Sequence, residues 1–389
     1  MPSYDYLIVG GGMTAHAAAS GIREIDPDGT IGMIADEPQP PYARPPLSKA
    51  LWKGEPVEKI WLALVAGLSL HTSRRAVALD RAARRVRDDH GIEYQYQKLL
   101  LATGGSPRVL PFGGEHVVYF RTLADYQRLR SLPAGRRVAV IGGGFIGAEM
   151  AAALAGLGHQ VTMLFPEEGI GARLFPRELF QFLNGYYREK GVEVHAGAQV
   201  LGIEPDSTGM RVRFGGGEIR ADAVVAGIGI RPNTSLAEEA GLKVEDGIVV
   251  DSALRTSDDR IFAAGDVARF WNPALDRAIR VEHEDNANTM GREAGRAMAG
   301  ALVDYRHLPF YYSDLFDLGY EAVGELDARH EMVIHWMNPY REGFVYYLAS
   351  GRVRGALSWG IFGQMDAARE LIAERGPFRR ENLIGRLPR

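Results

Sequence analysis

Cysteine is absent from the 389-residue chain. Its absence excludes a disulfide framework, an active-site dithiol, a thiolate-ligated iron–sulfur cluster and a cysteine-bound zinc ion. Any redox chemistry must therefore use a bound organic cofactor. We also expect no metal site.

A strong net charge and long apolar runs are also missing. The formal net charge is -4, which gives no global attraction to nucleic acid or to an anionic membrane. No stretch approaches the roughly 18 uninterrupted apolar residues that cross a bilayer. The apolar run YDYLIVG begins almost at once, with no basic segment before it. We therefore predict a cytoplasmic protein with no membrane span and no nucleic-acid partner.

The residues that are present are typical of a globular protein with a substantial core. Hydrophobic residues make up 46% of the chain and charged residues 24%. A chain of this length and composition is expected to form two or three domains.

A glycine-rich motif lies near the N-terminus, in YDYLIVGGGMTAHAAASGIREIDPDGTIGMIADEP. The order is an apolar strand, Gly10-x-Gly12-x-x-Ala15, a small-residue helix and a second strand ending at Asp36. This pattern is a dinucleotide fingerprint, in which the glycines let a pyrophosphate approach the backbone at a helix N-terminus. Asp36, with Glu37 beside it, is placed to hold ribose hydroxyls. One such match is weak, because glycine-rich turns occur in many α/β folds.

The same pattern returns in RRVAVIGGGFIGAEMAAALAGLGHQVTMLFPEEG. Here Gly142-x-Gly144-x-x-Gly147 stands between strand and helix, and Glu167 follows the next strand. Two such units in one chain are far more specific than one. An acid at this position accepts hydrogen bonds from a 2'-hydroxyl and repels a 2'-phosphate, so Glu167 favours NAD over NADP. The alternative is that Glu167 is a solvated loop acid.

Three further apolar strands break at glycine, in LLLATGGSPR, VVAGIGIRPN and RIFAAGDVA. Strand ends of this kind line nucleotide sites in open α/β sheets. Asp266 could present a carboxylate to sugar or ribityl hydroxyls, or it could cap a turn. The candidate cofactor residues in these stretches are Ala102, Thr103, Gly104, Gly227, Ile228, Gly229, Gly265 and Asp266.

The decapeptide PPYARPPLSK spans residues 40–49 and contains four prolines around Arg44, with Lys49 at its end. Proline fixes φ and removes a backbone donor, so the stretch suits neither a helix interior nor a central strand. We predict a rigid loop. Such a loop either holds its two cations toward a ligand or is a surface connector.

With these residues identified, the chain resembles the two-dinucleotide flavoprotein reductases, in the branch that contains ferredoxin and rubredoxin reductases and apoptosis-inducing factor. The resemblance covers essentially the whole chain. It is carried, in this order, by PYARPPLSKALW, VIGGGFIGAE, LFPEEG, IFAAGDVA, VEHEDNA and YYSDLFDLGYEAVG.

The resemblance implies an α/β fold with two Rossmann-like domains, for FAD and NAD, and a C-terminal α+β interface domain, in a glutathione reductase-like architecture. The implied domains are residues 1–110 with 247–305 for FAD, 111–246 for NAD and 306–389 for the interface. Alternating strands such as YEAVGEL, EMVIHW and GFVYYLASGRVRGALSW fit the last domain. A helix, MDAARELIAERG, is expected to close the chain.

The resemblance also implies roles for the two cations of the decapeptide. Arg44 would contact the FAD pyrophosphate, and Lys49 would lie beside the flavin N5 in an ion pair with Glu149. An ammonium withdrawn from water needs such a partner, and the pair would fix charge where hydride arrives. A purely structural Lys49–Glu149 pair is the alternative.

Further cofactor contacts implied by the resemblance come from other parts of the chain. The segment VEHEDNANTMGREAG would point a helix N-terminus at the flavin, and Tyr311 and Tyr312 stand where the relative has Phe and Trp near the nicotinamide pocket. Because Tyr312 replaces the family's Trp, the ring stacking known for the family is in doubt. The alternative is that Tyr311 and Tyr312 are simply core residues. The additional candidate residues are Phe145, Ile146, Arg173, Glu282, His283 and Tyr312, while His16 and His195 are assigned no task.

The function implied is that of an FAD-dependent NADH oxidoreductase. Because the chain has no redox cysteines, an external acceptor is required: a ferredoxin or rubredoxin, with a quinone or oxygen as alternatives. A different class is a low-turnover NADH-responsive sensor, as apoptosis-inducing factor suggests. The arginine-rich stretch HTSRRAVALDRAARRVRDD could guide an acidic protein acceptor, although a solvated β-hairpin is the simpler interpretation. The oligomeric state is open, with a homodimer as one option.

Overall fold

The computed structural model describes residues 1–207 and 209–388. The chain forms two compact units. The first consists of Met1–Arg44, Val57–Ser106 and Arg231–Pro309, and the second of Pro45–Pro56, Pro107–Ile230 and the residues from Phe310 onward. The chain therefore crosses from one unit to the other repeatedly. The division into three domains made from the sequence remains a prediction.

The strands of the described residues follow one another in short elements along the chain. In chain order they are β1 (Ser3–Val9), β2 (Ile31–Ile34), β3 (Leu68–His71), β4 (Ala76–Asp80), β5 (Arg85–Asp88), β6 (Glu93–Leu101), β7 (Gly105–Pro107), β8 (Val117–Tyr119), β9 (Arg137–Ile141), β10 (Gln160–Phe165), β11 (Glu193–Ala196), β12 (Val200–Asp206), β13 (Gly209–Phe214), β14 (Gly217–Ala221), β15 (Ala223–Ala226), β16 (Ile230–Pro232), β17 (Ile248–Val249), β18 (Ile261–Ala263), β19 (Ala268–Asn272), β20 (Arg277–Ile279), β21 (Phe310–Leu315), β22 (Leu318–Gly324), β23 (Glu331–Asn338), β24 (Glu342–Ala349) and β25 (Arg352–Trp359).

Helices alternate with the strands in the nucleotide-binding patterns and close the C-terminal part. In chain order the α-helices are α1 (Met13–Ile25), α2 (Leu123–Arg130), α3 (Phe145–Gly156), α4 (Arg177–Glu189), α5 (Ser235–Glu239), α6 (Glu284–Met298), α7 (Met365–Ala373) and α8 (Arg380–Leu383). The 3₁₀ turns are Pro45–Ser48, Ala50–Lys53, Val57–Ile60, Gly114–His116 and Gly265–Val267.

The main sheet of the first unit has the order β3-β2-β1-β6-β5-β4, with β18 beside β6. Strands β1, β2, β3, β6 and β18 pair in parallel, whereas β4 and β5 form an antiparallel hairpin that continues from β6. Strand β6 alternates buried and exposed residues beside the hairpin and ends in buried Leu99–Leu101. Both faces of its parallel end are covered, which requires a continuous apolar run.

The second unit repeats the parallel arrangement with the order β11-β10-β9-β15-β8. All these strands pair in parallel. The antiparallel sheet β12-β13-β14 packs in the same core cluster, where Val212 and Phe214 of β13 join Ala139 and Val224 of the parallel sheet. In both units the first strand pairs on one side with the strand after its helix, as in a dinucleotide-binding fold.

The C-terminal residues of the second unit form an antiparallel sheet of order β21-β22-β25-β24-β23. Helix α7 packs against β22 and β25. Its buried residues recur at helical spacing, which gives the helix one apolar face. They are Met365, Ala368, Leu371 and Ile372. The predicted strand-rich C-terminal part is confirmed.

Three element boundaries differ from the sequence-based expectation. Strand β2 ends at Ile34 rather than Asp36. Helix α7 does not close the chain, because the short helix α8 follows it. The proline-rich decapeptide is irregular only as far as Arg44, after which Pro45–Ser48 forms a 3₁₀ turn. Proline fits the start of such a turn, since the first N–H groups of a helix have no partner within it.

These sheets and helices confirm the predicted α/β class with two Rossmann-like arrangements and a C-terminal α+β part. Within residues 1–207 and 209–388, no helix combines the length and the apolar character needed to cross a membrane.

Candidate functional site

The first glycine-rich turn joins β1 to α1. Gly10 has φ of +130°, and a Cβ at this position would lie 2.1 Å from the carbonyl oxygen of Ala102. Gly12 immediately precedes α1, which has no side-chain cap and no acidic residue in its first turn. A Cβ at Gly12 would meet no atom within 4 Å. The helix N-terminus therefore presents N–H donors toward open space, as a phosphate site requires.

The second glycine-rich turn joins β9 to α3 and has the same geometry. Gly142 has φ of +113°, and its Cβ would lie 2.4 Å from the Gly227 carbonyl oxygen. Gly144 precedes α3, again without a side-chain cap or an early acid, and a Cβ there would meet nothing within 4 Å. A Cβ at Gly147 would lie only 2.0 Å from the Gly142 carbonyl oxygen. Gly142 and Gly147 thus have a steric reason, whereas Gly144 leaves the approach to the helix N-terminus open.

Both turns fit the pyrophosphate of a dinucleotide. At Gly12 and Gly144 the space that a side chain would occupy is open, so a ligand backbone can approach. Ala15 is fully buried at the third position of the first turn. The residues of each turn therefore fit the pyrophosphate of FAD or NAD.

The second predicted stretch after a strand, Gly227–Gly229, lines the second turn. The Gly227 N–H donates to the Ile141 carbonyl at 2.8 Å. A Cβ at Gly227 would lie 3.2 Å from the Cβ of Ile146. Ile228 Cγ2 would lie 3.5 Å from a Cβ at Gly142. The structure therefore brings the predicted residues that follow strand β15 close to the second turn and the start of helix α3.

The acids that follow the second strand of each pattern lie in different surroundings. Asp36 is 63% exposed and pairs with Arg75 at 3.0 Å. Glu167 is 23% exposed and pairs with Arg173 at 2.5 Å, while the Arg173 side chain is 81% exposed. The two predicted residues Glu167 and Arg173 thus form one charged pair beside the second turn.

Arg44 is held by Glu37 and Tyr42 in the first unit. The guanidinium pairs with the Glu37 carboxylate and donates to the Tyr42 hydroxyl at 3.2 Å. Tyr42 in turn donates to Glu37 at 2.6 Å. Burial opposes the charge of Arg44, but its neighbours Tyr42, Glu37 and Asp266 together raise the pKa of Arg44 above its ordinary value. Arg44 is therefore a fixed cation, and its contact with a pyrophosphate remains a prediction.

The stretch Ala102–Gly104 is fixed by Asn233, which was not among the predicted site residues. The Thr103 hydroxyl donates to the Asn233 carbonyl at 2.7 Å, and the Asn233 side-chain amide donates to the Thr103 carbonyl at 2.8 Å. The Asn233 N–H donates to the Gly104 carbonyl at 2.9 Å. Asn233 is the last residue of the motif VVAGIGIRPN, and this position is the only feature of the sequence that could have identified it.

The turn Gly265–Val267 and the start of α6 are connected by Arg280. Its guanidinium donates to the Asp266 carbonyl at 3.1 Å and to Glu282 at 2.6 Å. His283 is the residue before α6 and makes no capping hydrogen bond with its side chain. The predicted residues Asp266 and Glu282 are thus linked through Arg280, which was not among the predicted site residues.

Lys49 and Glu149 form a buried ion pair in the second unit. The Lys49 Nζ lies 2.7 Å from Glu149 Oε1, and the two side chains are 13% and 3% exposed. Two serine hydroxyls also donate to this carboxylate, Ser313 to Oε1 and Ser48 to Oε2, each at 2.6 Å. Neither serine was among the predicted residues. Serine is common in proteins, and nothing in the sequence pattern distinguished these two.

One aromatic ring of β21 lies beside this ion pair, and the ring before it in sequence packs on helix α3. The Tyr312 ring centroid lies 5.1 Å from Lys49 Nζ. Phe145 contacts Tyr311 edge to face, with 5.6 Å between ring centroids. Burial raises the pKa of Tyr311 well above its ordinary value, so its hydroxyl stays neutral. Tyr311 thus packs on Phe145 as a neutral ring, whereas Tyr312 faces the lysine.

The two histidines without a predicted task and the arginine-rich stretch make contacts within the protein. His16 donates to the Ala63 carbonyl at 2.7 Å, and His195 contacts Glu193 at 2.8 Å. The stretch forms the β4–β5 hairpin, as predicted. Most of its arginines have carboxylate partners. These pairs are Arg74–Asp88, Arg75–Asp36, Arg81–Asp258 and Arg85–Glu93.

Among the residues that the structure describes, no group of three or more His, Asp or Glu side chains could hold a metal ion.

The family model of the pyridine nucleotide-disulphide oxidoreductases matches residues 4–291. This range contains both glycine-rich turns and the buried Lys49–Glu149 pair.

Relatives and solved structures extend this similarity over nearly the whole chain. The anthranilate 1,2-dioxygenase system ferredoxin–NAD(+) reductase component of Burkholderia cepacia is 37% identical, over 96% of this chain and 95% of its own. Apoptosis-inducing factor 1 of Dictyostelium discoideum is 31% identical, over 96% of this chain and 79% of its own. A crystal structure of a covalent putidaredoxin reductase–putidaredoxin complex matches with a TM-score of 0.89 at 31% identity, over 97% of this chain and 94% of that chain.

Proposed function

Because the chain belongs to the pyridine nucleotide-disulphide oxidoreductase family, we propose that it is an NADH-dependent flavoprotein reductase. It passes electrons from NADH through bound FAD to a small iron–sulfur protein of the ferredoxin or rubredoxin class. The observation that carries this proposal is the pair of matching glycine-rich turns, each open where a pyrophosphate would lie, in a chain without cysteine.

The first unit supplies the residues that would hold FAD. The N-terminus of α1 beyond Gly12 faces the pyrophosphate, and Arg44 adds a positive charge. Asp36 and Asp266 offer carboxylates to ribose and ribityl hydroxyls. The start of α6 at His283 supplies further N–H donors and a positive helix end for the flavin ring.

The second unit supplies the residues that would hold NADH. The N-terminus of α3 beyond Gly144 binds the pyrophosphate. Glu167 accepts hydrogen bonds from the ribose hydroxyls and disfavours a 2'-phosphate, and its ion pair with Arg173 positions the carboxylate. Tyr312 contributes to the nicotinamide pocket.

FAD, when bound, accepts two electrons as hydride from a nicotinamide and can release them one at a time. The chain's own contribution is to bind and orient both dinucleotides and to hold a fixed charge pair. Lys49 keeps an ammonium in a largely water-excluded position, and Glu149 holds that ammonium at 2.7 Å. A preorganised charge of this kind stabilises a developing charge without rearranging during the reaction.

The choice of acceptor rests on cysteine chemistry and on the relatives. Disulfide reduction through a cysteine pair is closed to this chain, because it has no cysteine. The relative from Burkholderia cepacia is a ferredoxin–NAD(+) reductase component, and the matching crystal structure contains putidaredoxin. An iron–sulfur protein is therefore the acceptor that we propose.

NADH-dependent reduction of a panel of acceptors tests this function. The purified protein should be yellow, release FAD on denaturation and reduce a ferredoxin or rubredoxin many times per second with NADH. Quinones and oxygen serve as the comparison acceptors in the same assay. A colourless protein, or faster turnover with a quinone or oxygen than with every iron–sulfur protein of the panel, would contradict the proposal.

A second candidate is an NADH-responsive redox sensor, which the similarity to apoptosis-inducing factor favours. A sensor would form a long-lived reduced complex with NADH and turn over slowly with every acceptor. Stopped-flow decay of the reduced form in the presence of ferredoxin separates the two functions.

We also propose the three-domain assignment made from the sequence and a cytoplasmic location, where NADH is available as reductant. The domain assignment is tested with a variant that lacks residues 306–389. Release of FAD and binding of NADH are measured separately on this variant. Fractionation of the native cells checks the location.

A further inference from the structure

We propose that Ser48 and Ser313 are positioning residues for hydride transfer. They fix the Glu149 carboxylate and, through it, the Lys49 ammonium. This inference rests on the proposed function, because it assigns the serines to the same charged pair.

The Glu149 carboxylate is surrounded by donors on both of its oxygens. Oε1 accepts from Lys49 at 2.7 Å and from Ser313 at 2.6 Å, and Oε2 accepts from Ser48 at 2.6 Å. Glu149 is 3% exposed, and Ser48 and Ser313 are buried as well. With both oxygens occupied, the carboxylate cannot rotate without losing a hydrogen bond to a buried partner.

A buried carboxylate on an otherwise apolar helix needs these donors. Helix α3 has the sequence FIGAEMAAALAG, in which Glu149 is the one charged residue. Burial without hydrogen bonds strongly disfavours a charge. The nearby phenol of Tyr187 adds no second negative charge, because burial, with Glu149 adding to it, raises the pKa of Tyr187 well above its ordinary value. Lys49 and the two serines are therefore the groups that compensate the carboxylate.

Each serine is the chain neighbour of a residue that contacts the ammonium. Ser48 precedes Lys49 at the end of the 3₁₀ turn Pro45–Ser48, and Ser313 follows Tyr312 in β21. The Tyr312 ring lies 5.1 Å from the lysine Nζ. Both segments are thus hydrogen-bonded to the Glu149 carboxylate. The residue next to Ser48 carries the ammonium, and the residue next to Ser313 carries the ring beside it. A shift of Glu149 would move the lysine relative to the ring.

A double-mutant cycle tests this coupling. Ser48→Ala and Ser313→Ala should each slow the limiting rate of flavin reduction by NADH about tenfold, with little change in the apparent Kd for NADH, since a hydrogen bond to a charged group is lost. In a Glu149→Gln background the same replacements should change the rate less than twofold. Full effects that persist in that background would overturn the proposal.

The matched control is Ser358→Ala. Ser358 is buried in the same sheet, but it donates to the Ile361 carbonyl at 2.6 Å. Ser313 is aligned with Tyr320 and, through it, with Trp359, so Ser358 lies on the opposite face of the sheet. Its variant should reduce flavin at the wild-type rate. Ser48→Thr and Ser313→Thr retain the hydroxyl and should recover most of the rate that the alanine variants lose; threonine variants as slow as alanine variants would contradict the proposal.

Reductive methylation of lysines, mapped by mass spectrometry, gives a readout without turnover. In the FAD-loaded wild type, Lys49 should react slowly and Lys53, which is 63% exposed, quickly. The Ser48→Ala/Ser313→Ala double variant should raise the Lys49 rate severalfold relative to Lys53. An unchanged ratio would overturn the proposal. If NADH failed to reduce the wild-type flavin, the proposed function would fall, whereas this labelling ratio would still report whether the serines hold the lysine.

Discussion

The two glycine-rich turns have the same backbone geometry, but the helices that follow them make different contacts. In both, the first glycine avoids a carbonyl oxygen and the second leaves open space at a helix N-terminus. Helix α1 packs closely on α6, where a Cβ at Gly295 would lie 2.0 Å from the Ala18 carbonyl oxygen. Helix α3 instead carries Glu149 and its ion pair with Lys49.

This difference indicates distinct roles for two similar sites. The first turn belongs to a helix pair locked by backbone contacts, which suits a cofactor that stays bound. The second turn begins a helix whose middle holds the charge proposed to serve hydride transfer. The two turns also differ at the third fingerprint position. Helix α1 has room for the side chain of Ala15, whereas helix α3 has no room for a Cβ at Gly147.

The largest effect is expected from Gly147→Ala. Its methyl group would lie 2.0 Å from the Gly142 carbonyl oxygen, so the second turn must open. We expect a loss of about 1–3 kcal/mol or more in the free energy of unfolding and loss of NADH binding. Thermal unfolding and NADH titration measure the two effects. Ala15→Gly is the comparison in the first turn and should cost about 0.5–1 kcal/mol; equal damage by both changes would show that the turns do not differ.

A smaller and more selective effect is expected from Gly144→Ala. The added methyl group meets no protein atom within 4 Å, so stability should not change. It would occupy the space of the pyrophosphate, and we expect NADH to bind about 10–100-fold more weakly, about 1.4–2.8 kcal/mol. FAD content serves as the internal control. Wild-type affinity for NADH would place the pyrophosphate elsewhere.

Glu167→Arg should change coenzyme preference without abolishing binding. The acid that repels a 2'-phosphate is replaced by a cation that attracts it. We expect the ratio of kcat/KM for NADH to that for NADPH to fall about tenfold or more, equivalent to about 1.4 kcal/mol. Glu168→Arg makes the same change in charge at the neighbouring exposed position. A ratio that moves equally in both variants would assign the effect to general electrostatics.

The smallest effect is expected from reversing charge in the β4–β5 hairpin. Arg85 pairs with Glu93 at 3.3 Å, and Arg84 donates to Gln97 at 2.8 Å. Both arginines therefore already have partners within the chain. The Arg84→Glu/Arg85→Glu variant should change the KM for a ferredoxin less than twofold at low salt. A severalfold increase that disappears at high salt would identify the hairpin as a docking surface.

Local backbone chemistry made the two turns predictable from the sequence. Gly10, Gly12, Gly142 and Gly144 stand at fixed spacing after apolar strands. In each turn the structure gives the first glycine a steric reason, and the second glycine leaves open space at a helix N-terminus. The pairing of Lys49 with Glu149 joins residues that are distant in the chain. It was expected through resemblance to a family, because no spacing rule connects them.

The partners that orient these groups were not predictable in the same way. Ser48, Ser313 and Asn233 act through hydrogen bonds that depend on three-dimensional placement. Their residue types occur throughout any globular chain. The end of β2 was placed two residues too late because Ala35 and Asp36 continue the run after Ile34 without a glycine or proline to end it.

The interleaving of the two units has a consequence for how the protein can be divided. Each unit is assembled from three separated segments, and the twelve-residue piece Pro45–Pro56, which contains Lys49, is enclosed in sequence by segments of the other unit. No single peptide-bond cleavage can therefore release either unit whole. Exchange of parts with a relative must transplant this short piece together with α3, or the lysine and its carboxylate will come from different parents.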